Sequence, residues 1–169
     1  MQMAFGAAVF AGQAISMTMG LGFAMAVDPQ NGVQVPVISQ LYVILATLLF
    51  LALDGHLLLI AAVVESYQLI PIGVAGLPVS SLSAVVALGT MVFAGGILLA
   101  LPALTALLLI NVAFGIVTRT APQLNIFAVG FPVTILAGLF IMFLVMPGFI
   151  EALTQLIGSS LQRGVGAFG

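Results

Sequence analysis

Cysteine and lysine are absent from this 169-residue chain, and charge of either sign is scarce. Without cysteine there is no disulfide framework and no thiolate metal site, and the redox compartment stays open. Arg119 and Arg163 are the sole fixed cations, and the formal net charge is −2, so no basic footprint for nucleic acid exists. Charged residues make up 4% of the chain, where soluble domains average about 25%. Hydrophobic residues make up 63%, and the mean hydropathy is +1.41. Such a chain cannot coat itself in water and belongs in a membrane or a membrane complex. No basic leader with a small-residue cleavage site opens it, so no signal peptide is read. Met1-Gln2-Met3 leads straight into helical sequence without a cap, as the middle of a helix would, so further sequence upstream is expected.

Chemistry-bearing residues are equally thin. One histidine and four scattered acids supply neither a zinc site nor a nucleophile–base–acid arrangement. The glycines form no GxGxxG or P-loop pattern. Ser80, Ser81 and Ser83 read as helix-start residues rather than nucleophiles. The expectation is a protein that is not an enzyme, with no cofactor and no metal.

Four long apolar segments are separated by Gly, Pro and Asn punctuation. They run over about 1–22, 36–69, 81–118 and 122–146, and a tail follows Pro147. The second would be about 50 Å long as one helix, against ~30 Å of hydrocarbon. It must protrude or break near Gly55. The third, with Pro102 inside, is also overlong, and Pro132 lies within the fourth; proline removes a backbone donor and kinks a helix. Tilted, broken helices packed on other protein suit this pattern better than four upright spans. In the tail, Phe149, Ile150, Leu153, Leu156, Ile157 and Leu161 keep helical spacing between polar residues, which predicts an amphipathic helix at an interface or against a partner. Arg119 falls in the stretch Thr118-Arg119-Thr120-Ala121-Pro122, read as a tight turn that the positive-inside rule places in the cytoplasm.

Ala4, Ala8, Gly12, Ser16, Gly20 and Ala24 form a ladder of small residues at spacing four. On a helix this is a smooth stripe where another backbone approaches closely. Asp54, Gly55 and His56 interrupt the aliphatic run LFLALDGHLLLI. Ionisable groups at membrane depth suggest a polar pathway, which Glu65 would share. Glu65 lies on nearly the same helix face as Asp54, but ~16 Å along the axis. The competing reading is a break at Gly55, with Asp54 capping the next helix.

The stretch Met17 to Pro36, MTMGLGFAMAVDPQNGVQVP, raises a different question. Asp28-Pro29-Gln30-Asn31-Gly32 is turn chemistry, and Pro36 is placed to open a helix at its first position. The leading half is apolar and rich in methionine, a flexible side chain that adapts to irregular surfaces. Non-helical backbone in an apolar setting survives where protein or a cavity surrounds it. Either this is a deformable loop lining a cavity, or it is an ordinary turn between helices.

Three stretches, MGLGFAMAVDPQNG (19–32), LFLALDGHLLLI (49–60) and NVAFGIVTRTAPQLNIFAVGFP (111–132), together resemble the FliR family, the R-type component of the flagellar type III protein-export gate. The resemblance extends from residue 1 to roughly 160 and matches the C-terminal two-thirds of a typical member. It implies an all-α membrane-complex protein of kinked, tilted helical hairpins, set in a right-handed superhelical hetero-oligomeric gate. Residues 1–80 would be the P-subunit-like part, 81–146 a Q-subunit-like hairpin turning at 118–122 near Arg119 and Pro122, and 147–169 an amphipathic tail. The loop over 20–35 would be a plug in the channel, drawing on Met17, Met19, Gly20, Gly22, Phe23, Met25, Val27, Asp28, Pro29 and Gly32. The partners implied are P-type and Q-type subunits, an FlhB-type protein, unfolded flagellar substrates and the lipid of the bacterial inner membrane at the flagellar basal body. One departure is Asp54-Gly55-His56, where the family commonly has Asn-Gly-His, which favours capping over an essential charge. The alternatives are the corresponding injectisome subunit, a proton-coupled transporter or ion channel using Asp54, His56 and Glu65, and a scaffold with no pore role.

Overall fold

The computed structural model describes residues 2–22, 36–69, 79–120 and 130–166. Its elements are all α-helices: α1 (Gln2–Thr18), α2 (Val37–Ala52), α3 (Gly55–Leu69), α4 (Val79–Thr120) and α5 (Phe131–Gly166). Of the two outcomes open to the long second segment, the chain takes the break. Helices α2 and α3 meet at 71° across Leu53 and Asp54.

Elsewhere proline does not interrupt the helices. Helix α4 continues through Pro102 for 42 residues, and α5 through Pro147 for 36 residues. The boundary expected at residue 147 is therefore not a structural one, and the tail is the far half of α5. Arg119 lies in the last turn of α4 rather than in a tight turn. Pro36 is the N-cap of α2, one position earlier than expected, and its carbonyl accepts the Gln40 N–H at 3.1 Å.

Helix α1 is central, packed most extensively on α4 and then on α2. Its contacts fix the directions. Gly6 faces Val92 and Phe10 faces Gly96, so α1 and α4 run parallel; Gly12 faces Ser39 while Phe5 meets Phe50, so α1 and α2 run antiparallel. Gly95 lies opposite Leu156, while Phe114 and Gly115 come together with Phe131 and Thr134, so α4 and α5 run antiparallel. Between apolar helices in lipid, association rests on close contact rather than water expulsion. Small residues supply that closeness here: Ala4, Ala7, Ala8, Ala11, Gly12 and Ser16 are all buried.

The far half of α5 packs on its own chain. Phe149, Leu153 and Ile157, four residues apart, are buried, and the Phe149 ring lies 4.1 Å from that of Tyr42. The outward faces are as apolar as the core, with Leu98, Leu109, Phe143 and Leu144 all exposed. Gly89–Thr120 and Phe131–Ser160 are each long and apolar enough to cross a membrane, and the bent α2–α3 pair makes a third candidate.

Candidate functional site

The site is the C-terminal end of α1, over Ser16 to Gly22. A helix end strands its last carbonyls unless something takes them. Here Gly20 adopts φ +84°, which glycine reaches without steric cost. The Gly20 N–H then donates to Met17 O at 3.0 Å and the Leu21 N–H to Ser16 O at 3.0 Å. This is the Schellman pattern, and it satisfies two of the carbonyls locally.

The next two carbonyls are taken from far along the chain. Asn111 Nδ2, on α4, donates to Thr18 O at 3.2 Å. Thr134 Oγ1, on α5, has one proton to share between Met19 O at 3.4 Å and Phe131 O, in its own helix, at 3.0 Å. Thr18 in turn closes its own hydroxyl on Ala14 O at 2.8 Å. Both arms of the α4–α5 hairpin thus hold the root of the segment that follows α1. Neutral N–H and O–H donors complement the partial negative charge of a helix C-terminus without burying an ion.

Met19 anchors the root by packing. Its side chain is fully buried, seated where Gly138 of α5 has no Cβ: an added one would lie 2.5 Å from the Met19 methyl. The ring of Phe131 covers Gly20. Beside these residues is a cavity of about 330 Å³, lined by Thr18, Met19, Gly20, Asn111, Phe114, Gly115, Gly130, Phe131 and Thr134. Its volume is at the small end for ligand pockets, about 300–1,000 Å³. Its walls are mainly apolar. It can receive an apolar side chain.

The expected loop residues divide. Met17 is 69% exposed while Met19 is buried. Gly20 forms the turn, and Gly22 is half-buried. Phe23, Met25, Val27, Asp28, Pro29 and Gly32 lie outside the described residues, as does Pro122. Of the packing ladder, Ala4, Ala8, Gly12 and Ser16 sit in the α1 core. Asp54, His56, Glu65 and Arg119 are exposed on this chain. Asp54 starts α3 through its main-chain carbonyl, which accepts from Leu57 N at 2.9 Å and Leu58 N at 3.2 Å.

Sequence reading passed over Asn111, Phe131, Thr134 and Gly138. A signal for Asn111 was there, since an amide inside the aliphatic run LLLINVAF is a polar group that needs a partner in an apolar setting. Its replacement by alanine should loosen the root. Interhelical hydrogen bonds in membranes average about 0.6 kcal/mol, so amide protection at Met19 to Leu21 should fall roughly threefold. Hydrogen exchange on the assembled protein reads this directly. Unchanged protection would mean that the turn holds without α4.

The comparisons with known proteins bear on the same residues. The family model described as "Bacterial export proteins, family 1" matches residues 1–160. The chain is similar to the flagellar biosynthetic protein FliR of Escherichia coli (strain K12), 43% identical over 147 residues, covering 87% of this chain and 56% of that protein. It is similar to FliR of Pectobacterium carotovorum subsp. carotovorum, at 42% identity with the same coverages. FliR of Bacillus subtilis (strain 168) is 34% identical over 146 residues, covering 85% of this chain and 56% of that protein. The chain spans a little over half the length of these relatives.

Proposed function

Because the chain belongs to family 1 of the bacterial export proteins, we propose that it is a non-enzymatic core subunit of the flagellar type III export gate. It forms part of the inner-membrane channel for unfolded flagellar substrates. The apolar loop over 20–35 seals that channel at rest. The observation that carries the reading is the family match across residues 1–160, which takes in the loop and its root together. The relatives named above are flagellar proteins, which favours the flagellar over the injectisome subunit.

The root geometry supports the sealing role. A plug must be held at a fixed place while its own backbone deforms, and the turn at Gly20 with its donors from α4 and α5 supplies a fixed attachment. The exposed apolar faces of α4 and α5 support burial against other subunits and lipid. P-type and Q-type subunits and an FlhB-type protein are the partners proposed.

Shortening the 20–35 loop tests the seal. With the complex still assembled, ion conductance across the membrane should rise above the intact background. Loss of export without a leak would assign the seal to another subunit. Copurification of the chain with P- and Q-type proteins tests its place in the gate; a functional homo-oligomer would overturn it.

A further inference from the structure

The geometry points to Asp54 as a positioning residue, whose left-handed main chain rather than its carboxylate fixes the corner between α2 and α3. Three observations meet there. Asp54 has φ +53°, and it is the positive-φ residue other than glycine among the described residues. L-residues avoid that region, and beyond glycine it is chiefly Asn and Asp that enter it. The corner's hydrogen bonds are main-chain ones: Leu53 N donates to Leu49 O at 3.0 Å, Asp54 N to Leu51 O at 3.1 Å, and Asp54 O accepts the first N–H groups of α3. The turn is complete without the side-chain charge.

Second, the corner is pressed onto the bundle. Gly55 is buried, and a Cβ added to it would run into the ring of Phe50 and lie 2.9 Å from Phe50 O. That ring meets Phe5 of the central helix edge-on, with centroids 6.0 Å apart. Third, α3 is lightly held, touching α5 as well as α2. Beyond Gly55, none of its described residues is buried in this chain. The chain bends by 71° between α2 and α3 at Leu53 and Asp54, so the main-chain conformation there governs the direction in which α3 leaves and the contact with α5 supports it. This accounts for an acid inside an aliphatic run without assigning it a proton or an ion, and it stands independently of the sealing loop.

These 169 residues contain no cysteine, so two thiols introduced into them label the corner, with the unsubstituted complex as the background control. Spin labels at Ile44→Cys and Val64→Cys, both exposed positions on α2 and α3, give the distance across it in the assembled complex. Asp54→Asn and Asp54→Gly should keep both the distance and export, since both residues accept left-handed backbone. Asp54→Ala and Asp54→Glu should lower the bent population about tenfold, a size set by the cost of left-handed backbone to an ordinary side chain. Export should fall in parallel. If those two variants fail to assemble, rescue by asparagine and glycine still carries the test. The proposal is overturned if Asp54→Glu works while Asp54→Asn does not, which would make the charge essential. It is overturned equally if all four variants keep the wild-type distance.

Discussion

Complexes carrying Gly12→Val should yield little intact protein and melt well below the parent. A Cβ at Gly12 would lie 2.5 Å from Ser39 Cα and 2.8 Å from Ser39 N. Both are main-chain atoms of α2, and neither can rotate aside. Overpacking a close-packed contact costs about 1–3 kcal/mol and sometimes more, and a backbone neighbour places this one at the upper end. Moving α2 away also breaks the bond from Ser39 Oγ to Val9 O, 3.2 Å long, a further ~0.6 kcal/mol. Gly12→Ala should fall between valine and the parent. Gly158→Ala is the control, because that position meets nothing within 4 Å in this chain. It should be neutral or gain up to about 1 kcal/mol of helix propensity. Thermal melting of the detergent-solubilised complex separates these cases. A Gly12→Val complex that melts with the parent would mean that the α1–α2 contact is not what holds the bundle.

The second large effect is expected at Gly20, and it bears on the seal. Valine there must take φ +84° with a branched Cβ, and that Cβ meets the Phe131 ring at 3.2 Å. The left-handed conformation costs an L-residue about 1–2 kcal/mol, more for a β-branched one, and the ring contact adds to it. The root should abandon the Schellman turn, freeing Met17 O and Ser16 O. Assembled complexes carrying Gly20→Val should leak ions and lose protection at Leu21. Gly20→Asn should be milder, because asparagine tolerates the turn while still crowding Phe131. A tight, protected Gly20→Val complex would show that the turn does not fix the loop.

Local features of this fold were legible from sequence, and long-range ones were not. The break at Asp54-Gly55 was one of two outcomes legible from length, since a helix that long must protrude from a bilayer or break, and the chain breaks. Helical periodicity puts Ala4, Ala8, Gly12 and Ser16 of the expected ladder on the buried face of α1, but the helix ends before Gly20, and Ala24 lies outside the described residues. Pro147 misled, since proline signals a helix end in water, whereas α5 carries through it just as α4 carries through Pro102. Proline removes one internal hydrogen bond, and surrounding apolar packing keeps the remaining turns together. The tail's apolar spacing was legible, but not its target. Phe149 could equally have met a partner, and the position of Tyr42 on another helix decides the matter. At the site, the spacing of small residues puts Gly20 on the helix and the turn chemistry at 28–32, whereas a turn comes at Gly20 itself; the donors for Thr18 and Met19 depend on which helices come to lie beside α1.

The two donors that hold the root have a consequence for how the chain is made. Asn111 lies 93 residues after Thr18, and Thr134 lies 115 after Met19. At about 5–20 residues per second of synthesis, they leave the ribosome roughly 5 to 25 s behind their acceptors. During that interval a nascent α1 can pack on α2, but its turn at Gly20 has neither distal donor to secure it. The attachment of the loop is therefore among the last contacts to form, and a truncated translation product ending before residue 111 would insert α1 with its exit unfastened.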